Sequence, residues 1–259
     1  MPLLHHLDRR RSACIATAGL LGLLVLLAVV SAASARGTSS GAHSARGGVE
    51  RVVFIDHGRP AHSNAQTTTA TAAATDFRLL SGHPTWDRST IHYSVSTAGC
   101  SNDCSGAVTA VNNGFNAWEV SGLTYTQSNS NPDEDPCGGD DSVSWTPIDG
   151  SGGILASTSV CQTLGHSKQI VGFQTVFDSG DTWSDSGANG KFDIQATATH
   201  EEGHATGLDH VRKPADARLT MYPYITEGDI GFRTLGCGDR LGVNALYGTN
   251  LSCAGVPLD

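Results

Sequence analysis

The stretch His200–His210 (HEEGHATGLDH) constrains this chain more than any other part of its sequence. His200 and His204 are four residues apart, and a helix with about 3.6 residues per turn places them one above the other on one face. Gly207 allows the backbone to leave that helix with a positive φ, so that the chain can turn and bring His210 to the same point. Three neutral imidazoles that converge in this way are typical ligands of Zn²⁺, and they leave the fourth coordination position open, as in catalytic sites. The spacing therefore predicts a zinc centre on His200, His204 and His210.

Glu201 follows the first predicted ligand directly. Its carboxylate would flank the metal instead of binding it, and could accept a hydrogen bond from a water on the metal. We therefore predict that Glu201 is the general base of a hydrolytic reaction. Two other interpretations stay open. One is a polar helix face with incidental histidines, and the other is a zinc that only holds the fold, which would leave Glu201 and the open position without a role.

Acidic residues outnumber basic ones, with 25 Asp and Glu against 16 Lys and Arg in 259 residues and a formal net charge of −9. Binding to nucleic acid needs basic patches, so we expect no nucleic-acid partner. An acidic surface fits an extracellular protein that holds hard cations with carboxylates. The length allows one catalytic domain with a substantial core, or two small ones.

The first 35 residues have the features of an export signal. Arg9–Arg11 form a basic start, Ile15–Val30 is an uninterrupted apolar run, and Ala33–Ala35 gives an A-x-A cleavage pattern. We predict a signal peptide over residues 1–35 and a secreted, extracellular protein that has no contact with a membrane once the signal is removed. An uncleaved membrane anchor is the alternative, because the run approaches the ~20 residues that span a bilayer.

Residues 36–75 are rich in Ser, Thr, Ala and Gly, and we interpret them as a low-complexity linker or a short pro-segment. Val49–Asp56 (VERVVFID) could form a strand within that stretch. We place the catalytic domain at residues 76–259.

Hydrophobic periodicity predicts an α+β domain, in which strands and one helix come before a more helical C-terminal part. Helices are predicted over Ala107–Trp118, where Gly114 and two asparagines weaken the pattern, over Phe192–Thr206, with Asp193 as N-cap, and over Asp239–Tyr247. Strands are predicted over Ile91–Val95, Leu123–Thr126, Ser142–Trp145, Gly153–Thr158 and Gln169–Phe177.

Six cysteines remain after the signal peptide, and an even number in an exported chain suggests disulfides. Six cysteines allow 15 pairings. Closure of short loops favours Cys100–Cys104, Cys137–Cys161 and Cys237–Cys253.

The zinc motif, together with Met221 in a following LTMYP stretch, resembles the metzincin zinc peptidases, whose methionine turn lies beneath the metal. Within that group the chain looks most like the matrixins, the branch that resembles matrix metalloproteinases. GHATGLDH (203–210), MYP (221–223), Phe177-Asp178 with Trp183, and the LYG that ends at Gly248 carry this resemblance. It implies a twisted, mostly parallel five-stranded sheet with an antiparallel edge strand, about three helices, and zinc in a cleft.

The same resemblance implies further site residues. Ile154, Leu155 and Ala156 lie where matrixins have the edge strand that pairs with substrate, and Asp178 and Asp181 match the spacing of two acidic Ca²⁺ ligands. Glu202 departs from the family, which has an apolar residue there; it is either exposed or has a partner that the sequence does not reveal. The cysteine-switch motif of the family is missing, so latency through a thiolate is not expected.

These observations predict a secreted, monomeric zinc endopeptidase that hydrolyses peptide bonds of proteins or peptides, with Zn²⁺ as cofactor and Ca²⁺ as a possible second metal. Two alternatives stay open: an exported, zinc-stabilised binding or adhesion module without turnover, and a zinc amidase that acts on cell-wall peptide.

Overall fold

A computed structural model of the chain describes residues 44–46, 48–60, 74–128, 135–138 and 141–256. The predicted signal peptide lies outside the described residues. Of the predicted linker or pro-segment, the structure describes residues 44–46, 48–60 and 74–75. No helix in the described part of the chain has the length and apolar character that crossing a membrane requires.

In chain order, the strands are β1 (Ser44–Arg46), β2 (Val49–Arg59), β3 (Arg78–Leu79), β4 (Thr85–Trp86), β5 (Thr90–Ser96), β6 (Asn102–Asp103), β7 (Thr124–Ser128), β8 (Asp141–Thr146), β9 (Ile154–Thr163), β10 (Gln169–Asp178), β11 (Trp183–Ser184), β12 (Phe192–Asp193), β13 (Leu208–Asp209) and β14 (Tyr224–Thr226). The helices are α1 (Ala107–Trp118), α2 (Ile194–Thr206) and α3 (Cys237–Tyr247), with short 3₁₀ turns at Glu119–Ser121, Pro214–Asp216 and Gly231–Arg233.

The main sheet has the strand order β1-β2-β9-β10-β8-β5-β7, with β14 paired to β2 and β4 paired to β10. Pairs β10/β8, β8/β5 and β5/β7 are parallel, while β9 is antiparallel to β10. These five strands and the three helices confirm the predicted α+β matrixin-like architecture. One difference is that β2 extends the sheet beyond β9, so β9 is not the outermost strand.

The core lies between the sheet and the first two helices. Phe115 of α1 stacks on Tyr93 of β5, with ring centroids 3.8 Å apart, and lies 5.8 Å from the ring of Phe173 on β10. Gly114, which weakened the predicted helical pattern, is the point where α1 approaches α2. A Cβ at this position would lie 2.7 Å from the Cβ of Ala198, so the absence of a side chain permits the close helix contact.

Helix α2 is buried on almost every side, with only Gln195 not fully buried. Its capping matches the prediction: the Asp193 carboxylate accepts a hydrogen bond from the N–H of Ala196 at 2.8 Å, and Gly207 ends the helix with φ of 112°. The Trp118 indole donates to the carbonyl of Thr199 at 2.7 Å. A helix held this way on all sides is a rigid support for the histidines that it carries.

All three predicted disulfides are confirmed: Cys100–Cys104, Cys137–Cys161 and Cys237–Cys253. The second joins β9 to the segment that precedes β8. The third joins the start of α3 to the C-terminal segment.

Candidate metal centre

Three imidazoles converge beside the sheet, as the spacing predicts. His200 and His204 lie on the same face of α2, and the turn at Gly207 brings His210 to them. The Nε2 atom of His210 lies 3.2 Å from Nε2 of His200 and 3.0 Å from Nε2 of His204. All three side chains are buried.

Backbone carbonyls fix the orientation of two of these rings. Nδ1 of His200 donates to the carbonyl of Thr220 at 2.5 Å, and Nδ1 of His204 donates to the carbonyl of Leu208 at 2.9 Å. A ring that donates through Nδ1 keeps a lone pair on Nε2, which is how metal-binding histidines are commonly oriented. The free lone pairs therefore point to a common centre.

Asp56 completes this group, and the sequence reasoning missed it. Its Oδ1 lies 2.6 Å from Nε2 of His210 and 2.9 Å from Nε2 of His200, and its Oδ2 lies 3.6 Å from Nε2 of His204. Asp56 and the three histidines form the group of potential ligands that could hold a metal ion in the described part of the chain. The sequence gives only a weak indication of this role, namely that Asp56 is an acidic residue directly after the apolar run Val52–Ile55.

This donor set fits Zn²⁺. Imidazole nitrogens and a carboxylate oxygen are among its usual ligands, and bonds of ~2.0–2.1 Å in a tetrahedral site imply ligand atoms about 3.3 Å apart. The nitrogen separations of 3.0 and 3.2 Å are close to that value. The four side chains are also fully enclosed by protein, with exposed fractions of 1% or less. A buried cluster of this composition is more consistent with a metal centre than with a polar helix face.

The electrostatics of the group favour a cation at its centre. Burial acts to raise the pKa of Asp56, but the charges of His200 and His210 outweigh it and hold that pKa well below its ordinary value. Burial acts to lower the pKa of His200, yet the neighbouring Asp56 carboxylate raises it to about 9. Burial and the nearby His210 lower the pKa of His204 to about 4. A bound divalent cation would supply the positive charge that this carboxylate attracts.

Glu201 points into the same buried region. Neither of its carboxylate oxygens has a hydrogen-bond partner of good geometry among the described residues. Burial raises its pKa well above the ordinary value, the Asp56 carboxylate raises it further, and the charge of His200 opposes both effects. A buried carboxyl with a raised pKa beside three converging imidazoles is a candidate for proton transfer.

Met221 is buried beneath the histidine-bearing helix. Gly203 of α2 faces the Met221 side chain so closely that any larger residue would collide with it. The backbone N–H of Val211 donates to the carbonyl of Met221 at 3.0 Å, which ties the chain just after His210 to this turn. Met221 thus lies in a turn that is hydrogen-bonded to the chain beside His210, and its role as the methionine turn stays a prediction.

A sequence model of the matrixins, peptidase family M10, matches residues 85–248. The chain belongs to the matrixin family. It is 31% identical to human matrix metalloproteinase-20 over 186 residues, which are 70% of this chain and 36% of that protein. It is 28% identical to human neutrophil collagenase over 66% of the chain and 35% of that protein. Metalloendoproteinase 1 of Glycine max is 34% identical over 40% of the chain and 32% of that protein.

The chain thus spans about a third of the length of the curated relatives that it matches. Matrixins use a catalytic zinc, and the three histidines of this matrixin lie within the matched region. Asp56 lies before residue 85, where the match to the family begins.

Glu202, where this matrixin departs from its family, is fully buried and not exposed. Neither of its carboxylate oxygens has a hydrogen-bond partner among the described residues. Burial raises the pKa of Glu202 well above its ordinary value, and the nearby Glu201 and Asp141 add to the effect.

Asp178 and Asp181 lie together at the end of β10. The Asp178 carboxylate accepts hydrogen bonds from the backbone N–H groups of residues 148, 149, 150 and 180 at 2.8–3.1 Å. Burial acts to raise the pKa of Asp178, but these donors hold it below its ordinary value. The Asp181 carboxylate accepts a hydrogen bond from the backbone N–H of Gly152 at 2.9 Å, and burial together with nearby carboxylates raises its pKa to about 6. Calcium binding by this pair stays a prediction.

Ile154, Leu155 and Ala156 begin β9, which contacts the histidine-bearing helix. In this structure their strand is paired on one side with β10 and on the other with β2. Their predicted role in pairing with substrate stays a prediction.

Proposed function

We propose that this chain is an exported zinc endopeptidase in which His200, His204 and His210 hold the catalytic metal and Glu201 is the general base. The observation that carries the proposal is the convergence of three Nε2 atoms beside the buried Glu201 carboxylate, in a chain of the matrixin family.

Each residue has a defined task in hydrolysis. When bound, zinc supplies the Lewis acidity that polarises the scissile carbonyl and makes a water molecule more acidic. Glu201 takes a proton from the attacking water and returns it to the leaving amine. Burial raises the pKa of Glu201 above its ordinary value, and a higher pKa makes its carboxylate a stronger base. Thr220 and Leu208 keep the two helix histidines in the tautomer that binds metal.

The substrate is proposed to be an extended peptide that adds a strand to β9 near Ile154–Ala156. Support comes from the antiparallel pairing of β9 with β2 along this side, since a substrate strand in the same register would take the place of β2. Main-chain hydrogen bonds of this kind tolerate many side chains, which fits a protein substrate.

Export and a monomeric state belong to the same proposal. Three disulfides favour an oxidising compartment. The basic, apolar and small-residue segments before residue 36 support a secretory route.

A second candidate function follows from Asp56, which supplies a fourth donor. Four protein ligands are the arrangement of a structural zinc. In that case the chain is a zinc-stabilised module without turnover, and Glu201 has no chemical task.

The deciding experiment combines metal content with digestion. Purified protein is analysed for zinc by elemental analysis and incubated with casein and, separately, with peptidoglycan. It is used both as the full chain and after limited trypsin treatment followed by a serine-protease inhibitor. We expect one zinc per chain, casein digestion that stops with a chelator and returns with added Zn²⁺, and no release of peptidoglycan fragments.

Glu201→Gln is the matched variant, and Glu119→Gln at an exposed position is its control. We expect Glu201→Gln to keep its zinc and lose turnover by at least about 100-fold, within the range for one general base. Near-normal digestion of casein by Glu201→Gln would show that Glu201 is not the general base. Zinc-loaded protein that digests nothing before or after trypsin would favour the structural-zinc candidate.

A further inference from the structure

The strand β2 lies before the region that matches the family and yet forms part of the metal centre. It lies between β9 and β14. It pairs antiparallel with β9 from Val49↔Thr163 to His57↔Ile154, and parallel with β14 through Tyr224↔His57 and Thr226↔Arg59. The Cα partner of Asp56 is Ala156, which is one of the residues predicted to pair with substrate.

Side chains fasten the first half of this strand to its neighbours. Glu50 forms an ion pair with Lys168 and accepts a hydrogen bond from Gln162. The Arg51 guanidinium donates to the Ser159 hydroxyl at 2.8 Å. The strand is therefore held by specific polar contacts as well as by its backbone.

The second half of the strand faces the metal site. The ring of Phe54 lies flat on the imidazole of His204, with centroids 3.9 Å apart and planes 6° from parallel. Asp56, two residues later on the same face of the strand, directs its carboxylate at the three Nε2 atoms. At Gly58 a Cβ would lie 2.5 Å from the ring of Phe192, so the strand passes this point only because it has no side chain there.

We propose that Asp56 is a fourth ligand of the zinc, and that Val49–Arg59 keeps the protein latent by covering the edge at which substrate pairs. This inference rests on the proposed function, since it concerns access to the same zinc. A carboxylate at the fourth position excludes the water that hydrolysis needs. The strand presents a side-chain carboxylate, that of Asp56, to the three histidines.

The sequence agrees with a carboxylate in this role. Residues 36–75 contain no cysteine, so no thiolate is available from this stretch. The six cysteines of the described domain are all in disulfides. Among the described residues of this segment, Asp56 is the potential metal ligand that reaches the three histidines.

The ligand assignment is tested on the full chain with Co²⁺ in place of Zn²⁺. Asp56→Ala is compared with Ile55→Ala, a change at the preceding residue, whose side chain points away from the site and is 36% exposed. We expect the visible absorption of Co²⁺ to change in Asp56→Ala and to stay as in the unmodified chain in Ile55→Ala. If Asp56→Ala disturbs the pairing of the strand, Asp56→Asn replaces it in the comparison with Ile55→Ala, because asparagine has nearly the same volume as aspartate.

Acetohydroxamate, a small metal chelator, then probes the fourth position. If Asp56 occupies it in about 99% of molecules, its removal raises the apparent affinity for the probe about 100-fold. We expect Asp56→Ala to bind acetohydroxamate far more tightly than both the unmodified chain and Ile55→Ala. Equal affinities and equal Co²⁺ spectra in all three would overturn the assignment of Asp56.

Coverage of the edge is tested separately by placing a site for a sequence-specific protease between residues 64 and 70. We expect the intact chain to digest casein slowly and the cut chain at least about tenfold faster, because the strand is then free to dissociate. An uncut chain as active as the cut one would overturn latency while leaving the proposed peptidase intact. If the zinc-loaded unmodified chain and the zinc-loaded Asp56→Ala variant both stay inactive after cutting, this result would instead count against the proposed function.

Discussion

Asp239 accepts a hydrogen bond from the backbone N–H of Thr220 at 2.9 Å, although the two residues are far apart in the chain. The same carboxylate accepts from the N–H of Met221 at 3.2 Å and from the N–H of Gly236, just before α3, at 2.8 Å. Since the carbonyl of Thr220 in turn orients His200, Asp239 acts through this turn on a predicted metal ligand. The last helix is therefore coupled to the zinc site through one buried carboxylate.

Replacement of Asp239 by asparagine should weaken zinc binding. One oxygen of the carboxylate becomes an amide group that cannot accept from the N–H groups of the turn, so the Thr220 carbonyl is held less firmly. Loss of such an outer partner typically lowers metal affinity by about 10–100-fold. Competition with a coloured chelator measures this change, and Asp87→Asn at an exposed position is the control. If both variants keep the original affinity, the turn does not depend on Asp239.

His210→Ala should reduce zinc occupancy measured by elemental analysis after dialysis. The Nε2 atom of His210 lies within 3.2 Å of both other histidines, so its removal takes away one of three nitrogen donors. His166→Ala, at an exposed position, should keep full occupancy. Full occupancy in His210→Ala as well would mean that the third nitrogen ligand is a different residue.

The convergence of the three histidines could be predicted from sequence because it depends on local geometry. His200 and His204 need only a helix, and His210 needs only a turn at Gly207, so the relevant distances are set within the short stretch His200–His210. The Asp193 cap and the disulfides follow from equally local rules. The five central strands were also predictable, because their alternating or buried patterns are short-range signals.

Asp56 was not predictable because its role depends on where a distant strand pairs. Between Asp56 and His200 lie 143 residues, and the sheet register that joins them is set by β9 and not by any spacing in the sequence. Strand β2 was expected as a possible element, Val49–Asp56, but nothing in its own pattern indicates which edge it covers. The buried state of Glu202 was hidden for a similar reason, since α2 is enclosed on all sides and periodicity no longer separates buried from exposed positions.

Glu202→Met should stabilise the fold. A buried carboxyl without a hydrogen-bond partner costs about 1–3 kcal/mol, and methionine has a similar volume with no group to desolvate. Thermal unfolding should then show a Tm several degrees higher, because 1 kcal/mol corresponds to about 2–4 °C in a domain of this size. Zinc content should stay the same, and Glu119→Gln at an exposed position should change the Tm little. A lower Tm for Glu202→Met would indicate a favourable interaction of the carboxyl group.

Asp181→Asn should stabilise the calcium-free protein above pH 6. The folded-state pKa of Asp181 is raised to about 6 by burial and by neighbouring carboxylates, whereas its ordinary value is 3.8. A raised carboxyl pKa means that ionisation opposes folding: the penalty is complete above pH 6, shrinks as the pH falls through 6, and is gone below 3.8. After allowance for solvent screening the gain at neutral pH is on the order of 1 kcal/mol. Urea unfolding at about pH 7.5 and about pH 4, the extremes chosen around that pKa, should show the gain only at the higher pH.

If Asp178 and Asp181 bind Ca²⁺, adding it should make the unmodified chain more stable than Asp181→Asn. A divalent cation between the carboxylates would remove the repulsion that raises the pKa of Asp181, so millimolar Ca²⁺ should raise the Tm of the unmodified chain. Asp181→Asn lacks that charge and should gain less. Mg²⁺ at the same ionic strength is the control, because it binds reluctantly to sites made only of protein oxygens. If the Tm of the unmodified chain is the same with Ca²⁺, with Mg²⁺ and with a chelator, the two aspartates are turn residues and do not bind calcium. Asp178 would then serve to hold the loop at residues 148–150 through hydrogen bonds from its backbone N–H groups.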